Sequence, residues 1–315
     1  MTKKIAFLFP GQGSQAVGMG KDLYDNFENA KNVFDTADKV LSKNISTMCF
    51  EGPEDSLKQT INTQPSIVTM SIAAMEALKS ELDITPSYTA GHSLGEYCAM
   101  YTSGVMSLEN TLKAIQKRAD LMSATKGGSM AAVLNASEEQ LKAGLEEGSK
   151  VGYVDVANYN SPAQVVITGA EDAVKAASDY MVANGVRRVV PLAVSGAFHS
   201  KFMENAGKEF AEFVSNLDLN NASIPVITNV DAEITTNSED FRVKMPKQIY
   251  SSVHWTQTIE KMIAEGVDTF IEIGPGKVLA GLNRKISSDI TTYNIFDKAS
   301  LDATVSALKE ELAGV

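Results

Sequence analysis

The pentapeptide Gly91-His92-Ser93-Leu94-Gly95 constrains this chain more than any other feature in it. A short stretch from Ser87 to His92 runs into it and reads as a strand, and a helical pattern begins at about Leu94. A serine on so sharp a strand-to-helix turn needs small neighbours, and the turn holds its hydroxyl clear of the backbone. The start of the helix offers N–H groups to an anion forming beside that oxygen. The same residues could make a plain glycine-flanked turn in which Ser93 only caps a helix. The strand before and the helix after favour a nucleophile.

The rest of the chain supplies an α/β frame for that turn. Ile5 to Phe9 is a short apolar run stopped by Pro10-Gly11, as expected of a buried strand. Helical patterns follow to about Ser80, one of them expected to start at Pro65 with Thr63 as its cap and to be deeply buried. Residues 129–192 have a pattern of their own. Strands are expected at Ser129 to Leu134, Tyr153 to Ala157, Gln164 to Thr168 and Val186 to Leu192. One helix between them opens on a Ser137/Gln140 capping box, and another runs from Glu171 to Asn184 and closes at Gly185. The order is β-α-β-β-α-β, that of a ferredoxin-like unit. The expectation is a large α/β-hydrolase-like domain with a parallel core, residues 1–127 and 195–315, into which a small ferredoxin-like domain, residues 128–194, is inserted. Gly127-Gly128 and Val194-Ser195-Gly196 are the expected hinges. Further buried strands are expected at Ile224 to Asn229 and Thr269 to Ile273, with helices between and after.

Composition narrows the function. A net charge of −11 over 315 residues argues against a nucleic-acid surface, which needs clustered Lys and Arg. An acidic partner would have to meet a local basic patch. Two cysteines, Cys49 and Cys98, with no CxxC, support neither a disulfide framework nor a zinc site. Lys3-Lys4 before Ile5 to Phe9 imitates a signal peptide, but the apolar run is too short, and no segment is long enough to span a bilayer. The chain reads as cytoplasmic and monomeric.

A nucleophilic serine needs a base, and the chain has His92, His199 and His254. His92 should point away from its neighbour's oxygen, and His254 lies among polar residues as a surface or interface side chain. His199 closes an apolar run and follows the serine in sequence, as in α/β-hydrolase-like enzymes. It could equally be a satisfied core histidine, yet it is the best base available. Gly11-Gln12-Gly13-Ser14-Gln15-Ala16 formally matches a dinucleotide fingerprint, but the required second strand and acid are missing, because Asn29 to Lys43 is helical. These glycines instead suit close approach of backbone N–H groups to the nucleophile. Arg118 borders the buried face of a helix from about Ser107 to Ala124. It is either half of a structural ion pair or a receptor for an anion.

In these motifs the chain resembles the malonyl-CoA:acyl-carrier-protein transacylases, nearly end to end. The resemblance is carried by Phe9-Pro10-Gly11-Gln12-Gly13-Ser14-Gln15, Gln64-Pro65-Ser66, Gly91 to Tyr97, Gln116-Lys117-Arg118, Asn158-Tyr159-Asn160-Ser161-Pro162, Phe198-His199-Ser200 and Glu272-Ile273-Gly274-Pro275-Gly276. It implies Ser93 as nucleophile, His199 as base and the backbone N–H groups of Gln12 and Leu94 as oxyanion hole. It further implies that the backbone carbonyl of Gln248 orients His199 and that Arg118 pairs with the malonyl carboxylate. Phe198, Asn158 and Asn160 would complete the substrate site. Ala197 stands where many members carry proline. The resemblance implies malonyl-CoA as donor and the phosphopantetheine thiol of an acyl carrier protein as acceptor, with no bound cofactor and no metal. A ping-pong route through malonyl-Ser93 in fatty-acid synthesis follows. Arg187-Arg188 and Arg284-Lys285 are the basic pairs on which a carrier could dock. The rival readings are a serine thioesterase or other hydrolase, a catalytically silent carrier-docking module, and a free-standing acyltransferase of a polyketide synthase.

Overall fold

The computed structural model describes residues 3–313, which build two sheets. The strands are β1 (Ile5–Phe9), β2 (Tyr88–Gly91), β3 (Ser129–Leu134), β4 (Val154–Ser161), β5 (Gln164–Gly169), β6 (Arg188–Pro191), β7 (Val226–Ile227), β8 (Ile234–Thr235), β9 (Thr269–Ile273) and β10 (Thr291–Ile295). The larger sheet has the order β10-β9-β1-β2-β7-β8. Its pairings are parallel except for the antiparallel β7–β8 edge. Central β1 and β9 are buried at every position, because a parallel sheet is covered on both faces; β1 is apolar throughout, and β9 buries Thr269 and Glu272 among its apolar residues. Alternation then sorts the side chains. Ile5, Phe7 and Phe9 enter the core on one face, and Ala6 and Leu8 join Trp255 and Phe270 on the other.

The chain leaves the large sheet after the helix Leu108–Ala124, turns at Gly127 and Gly128, builds the second sheet from β3 to β6 and returns. That sheet is antiparallel throughout, in the order β4-β5-β3-β6. The helices Glu138–Ser149 and Glu171–Ala183 cover one face of it over a separate cluster that includes Ala131, Val133, Ile167 and Met181. The Ser137/Gln140 capping box forms as expected. β4 joins the larger part through backbone bonds, Tyr159 N–H to Val253 O at 2.9 Å and Val253 N–H to Ala157 O at 2.8 Å. No helix among the described residues is long and apolar enough to cross a membrane.

Three expectations need correction. The long buried helix spans Thr60–Glu81 and carries Pro65 inside it rather than at its start. A proline cannot bond back to residue 61, and the Ile61 carbonyl left over instead accepts the Gln116 side-chain N–H at 3.5 Å. Thr63, expected as a cap, lies inside the helix and bonds its hydroxyl back to the Gln59 carbonyl. The strand expected over Ile224 to Asn229 shrinks to Val226–Ile227, since the chain leaves the sheet at Thr228.

Candidate active site

Ser93 stands where β2 passes into a single helical turn, Ser93–Gly95, and then into the helix Glu96–Thr102. The glycines of the turn are steric necessities. A Cβ on Gly91 would lie 1.9 Å from the backbone of Gly95, and one on Gly95 would lie 2.3 Å from the Phe9 carbonyl of β1. Ser93 itself has φ +51, a left-handed conformation that strains any residue with a side chain. Such strain persists only where neighbours hold it.

The Ser93 hydroxyl lies 2.8 Å from His199 Nε2. His199, also left-handed at φ +54, presents Nδ1 to two carbonyls, Gln248 O at 3.0 Å and Ser251 O at 3.1 Å. Two acceptors there require a proton on Nδ1, which leaves the Nε2 lone pair to accept the Ser93 O–H. Burial, and next the nearby Arg118 charge, pull the imidazole pKa down to about 3. His199 is therefore neutral at physiological pH, with its Nε2 lone pair directed at the Ser93 hydroxyl.

Arg118 is 1% exposed, and burial lowers its pKa. Its Nη1 donates to Gln64 Oε1 at 2.7 Å, and its Nη2 donates to Gln248 Oε1 and to Ser93 Oγ, both at 3.0 Å. The guanidinium also sits over the Tyr97 ring, 5.7 Å from its centroid. Among the described residues it makes no ion pair, and its Nε has no partner. The structural ion pair that the sequence left open is thus not formed. A buried, unpaired cation touching a serine oxygen is a standing receptor for an anion.

These groups wall a cavity of about 100 Å³, room for a small acyl group and little more. Gln12, Leu94, Asn158 and Phe198 line it together with Gln64, Met122, Met130, Leu192 and Val194. Gln12 arrives on the loop after β1, where Gly11 runs against His92 so closely that a Cβ would lie 2.8 Å from its carbonyl. Asn160 stands behind His92, its Oδ1 at 2.7 Å from the ring Nε2. His92 thus turns from the serine oxygen, as expected. His254 stacks on Tyr159 at 5.3 Å, half-buried between the two sheets. A larger groove of about 580 Å³ between β6 and the helix Glu171–Ala183 shares Met130 and Leu192 with the cavity wall, but neither Ser93 nor His199 lines it. Arg187, Arg188, Arg284 and Lys285 are exposed and stand outside the cavity lining.

Sequence reasoning missed four participants. Gln64, in a quoted motif but given no role, holds Arg118; its helix Thr60–Glu81 also buries Thr63, Ser66, Thr69 and Ser71, so its polarity did not set it apart. Ser251 supplies a carbonyl, which no side-chain pattern can announce. Asn229 accepts the Ser93 N–H at 2.8 Å, and buried Glu96 accepts the Asn229 N–H at 2.6 Å. Burial pushes the Glu96 carboxyl up to about 7, against the opposing pull of the Asn229 N–H and Arg118.

The acyl transferase domain family matches residues 6–309. A malonyl CoA-acyl carrier protein transacylase of Bacillus subtilis is 44% identical over 312 residues, 98% of each chain. The crystal structure of an acyl carrier protein S-malonyltransferase from Vibrio cholerae superposes with a TM-score of 0.93 at 37% identity, covering 96% of this chain and 100% of that one. A malonyl-transacylase solved in complex with its type II polyketide acyl-carrier protein also gives 0.93, at 34% identity over 97% of this chain and 100% of that one. Identity spread over nearly the whole length, and not over the serine motif alone, is decisive: the chain belongs to the acyl transferase domain family and, within it, to the malonyl CoA-acyl carrier protein transacylases.

Proposed function

We propose that this chain moves a malonyl group from malonyl-CoA to the phosphopantetheine thiol of an acyl carrier protein by way of a malonyl-Ser93 ester. The observation that carries the reading is the unpaired Arg118 guanidinium beside the nucleophile. A malonyl thioester is reactive at one end and anionic at the other, and this site joins a serine–histidine pair to one buried cation.

In the first half-reaction His199 Nε2 takes the Ser93 proton as Oγ attacks the thioester carbonyl. The oxyanion falls to the N–H groups of Gln12 and Leu94. The former has no partner among the described residues, and the latter belongs to a first helical turn, where N–H groups lack intrahelical acceptors. The C–S bond breaks, the imidazolium returns its proton to the departing CoA thiolate, and malonyl remains on Ser93. In the second half His199 deprotonates the carrier thiol, whose sulfur attacks the ester. The proton then returns to Ser93 Oγ. Throughout, Arg118 holds the carboxylate with two parallel N–H···O bonds.

Two features favour transfer over the hydrolase alternative. His199 Nδ1 faces carbonyls where a typical hydrolase triad has a carboxylate, and the cavity carries a cation a neutral acyl chain would strand. The role of the pathway is fatty-acid synthesis in the cytoplasm, with no bound cofactor, and the protein acts as a monomer. Residues 128–194 form the small domain and the remainder the large one. The pairs Arg187-Arg188 and Arg284-Lys285 receive the acidic carrier. The test is to incubate the purified chain with malonyl-CoA and holo carrier protein and follow both products. Stoichiometric malonyl-carrier and free CoA are expected. Release of free malonate without carrier loading would make the protein a thioesterase.

A further inference from the structure

Asn229 touches neither base nor cavity, yet the backbone of the nucleophile rests on it. β7 lies parallel to β2 with Val226 opposite Thr89, so the residues that follow each strand emerge side by side. Asn229 therefore comes level with the turn at Gly91 to Ser93. Its side-chain Nδ2 donates to the Gly91 carbonyl at 2.7 Å, and its Oδ1 accepts the Ser93 N–H at 2.8 Å. One amide thus bridges the two ends of the turn. Its own backbone is tied down as well. The N–H donates to Glu96 Oε2 at 2.6 Å, and the carbonyl accepts the His254 N–H at 2.9 Å. The residue is fully buried with every polar group engaged, which leaves the amide one orientation.

Ser93 needs such a support. Its left-handed backbone is unfavourable for a residue with a Cβ, and an extended or right-handed Ser93 would carry Oγ away from His199. On the other side of the same residue the Ser93 carbonyl accepts Gln248 Nε2 at 2.9 Å. The Ser93 N–H is therefore held by a side chain alone, and its C=O by the Gln248 side chain together with the Glu96 backbone N–H of the helical turn.

We propose that Asn229 is a positioning residue for the nucleophile: by bridging the Gly91 carbonyl and the Ser93 N–H it holds Ser93 in the conformation that aims Oγ at His199, and buried Glu96 holds Asn229 in turn. The proposal rests on Ser93 being the acylated residue, so its test includes a reagent that needs no malonyl chemistry. Asn229→Ala and Asn229→Ser, neither able to span both contacts, are compared with the wild type. Two rates are measured per folded molecule, with the folded fraction taken from thermal unfolding: labelling of Ser93 by a fluorophosphonate, and single-turnover acylation by malonyl-CoA.

A misplacement of the nucleophile by about 1 Å slows both reactions by roughly 10²-fold. The KM for malonyl-CoA stays within about threefold, because Asn229 meets no substrate. If Asn229→Ala does not fold, the smaller polar change Asn229→Ser carries the comparison. A variant that merely melts earlier, while its folded fraction labels at the wild-type rate, overturns the proposal. So does a rise in KM with kcat unchanged. If wild type labels with fluorophosphonate but takes no malonyl, the malonyl reading fails, and the labelling rates of the variants still decide the role of Asn229.

Discussion

Replacing Arg118 by methionine separates what the guanidinium does for the fold from what it does for the substrate. In the free protein its polar partners are three oxygens, none from a carboxylate: Gln64 Oε1, Gln248 Oε1 and Ser93 Oγ. Replacing the buried guanidinium with an apolar side chain of similar length removes its desolvation penalty, on the order of several kcal/mol for one buried ion. Against that, the amide oxygens of Gln64 and Gln248 lose their donor, at about 1–3 kcal/mol each. The two terms oppose each other and are of similar size, so the unfolding temperature moves by only a few degrees. The malonyl carboxylate has no such compensation. Entering a cavity of about 100 Å³ without its partner, it loses about 2–5 kcal/mol, or roughly 30- to 5,000-fold in kcat/KM. Acetyl-CoA has no carboxylate to lose, so the malonyl-to-acetyl ratio of kcat/KM should fall by the same factor. Arg118→Lys should recover only part of it, since an ammonium cannot make the two parallel bonds. The assay is CoA release with each thioester, run on variants that still unfold cooperatively. A ratio unchanged in Arg118→Met would refute the reasoning and leave the arginine a scaffold group.

Three further outcomes are expected. His199→Ala should slow single-turnover acylation of Ser93 by roughly 10²–10⁴, read by rapid quench, and a wild-type rate would reduce His199 to a structural role. The His199 imidazole should show no NMR titration near its ordinary 6.5, because its folded pKa is about 3. The unfolded chain then takes up that proton first, so the stability difference between wild type and His199→Asn is fully present above pH 6.5 and shrinks by roughly 1.4 kcal/mol per unit as pH falls toward 3; a midpoint near 6.5 in the folded protein would contradict this. Charge reversal at Arg187-Arg188 or Arg284-Lys285 should raise the KM for carrier protein, as should added salt with wild type, while malonyl-CoA acylation stays unchanged. Salt-independent transfer would remove the electrostatic account of docking.

Much of this was legible because the chain repeats one message at several levels. β1 is apolar and stopped by Pro10-Gly11, and β9 is apolar but for Thr269 and Glu272; both form where expected. The second sheet announced itself through alternation, the Ser137 capping box and Gly185, and its strands form in the expected order. Edge strands were harder. β10, with the sequence Thr-Thr-Tyr-Asn-Ile, has one covered side and so little apolar signal, and β8 is only two residues long. Ser93, His199 and Arg118 were legible as chemistry, since each residue type is costly or conspicuous where it stands. Asn229 and Ser251 were not. One acts by bridging backbone groups brought together by strand register, and the other acts through a carbonyl that every residue possesses. The start of the long helix was misplaced for a related reason: only a tertiary partner, Gln116, takes up the carbonyl that Pro65 leaves free.

The central claim is that the malonyl group rests on Ser93 between donor and acceptor. Intact-mass spectrometry after mixing the protein with malonyl-CoA, followed by peptide mapping, tests it most directly. The account predicts the added mass of one malonyl group on the peptide that carries Ser93, its absence in Ser93→Ala, and rapid discharge by holo carrier protein but slow loss to water. An adduct that persists in Ser93→Ala, or a wild type that loads the carrier without ever carrying the group itself, would contradict it.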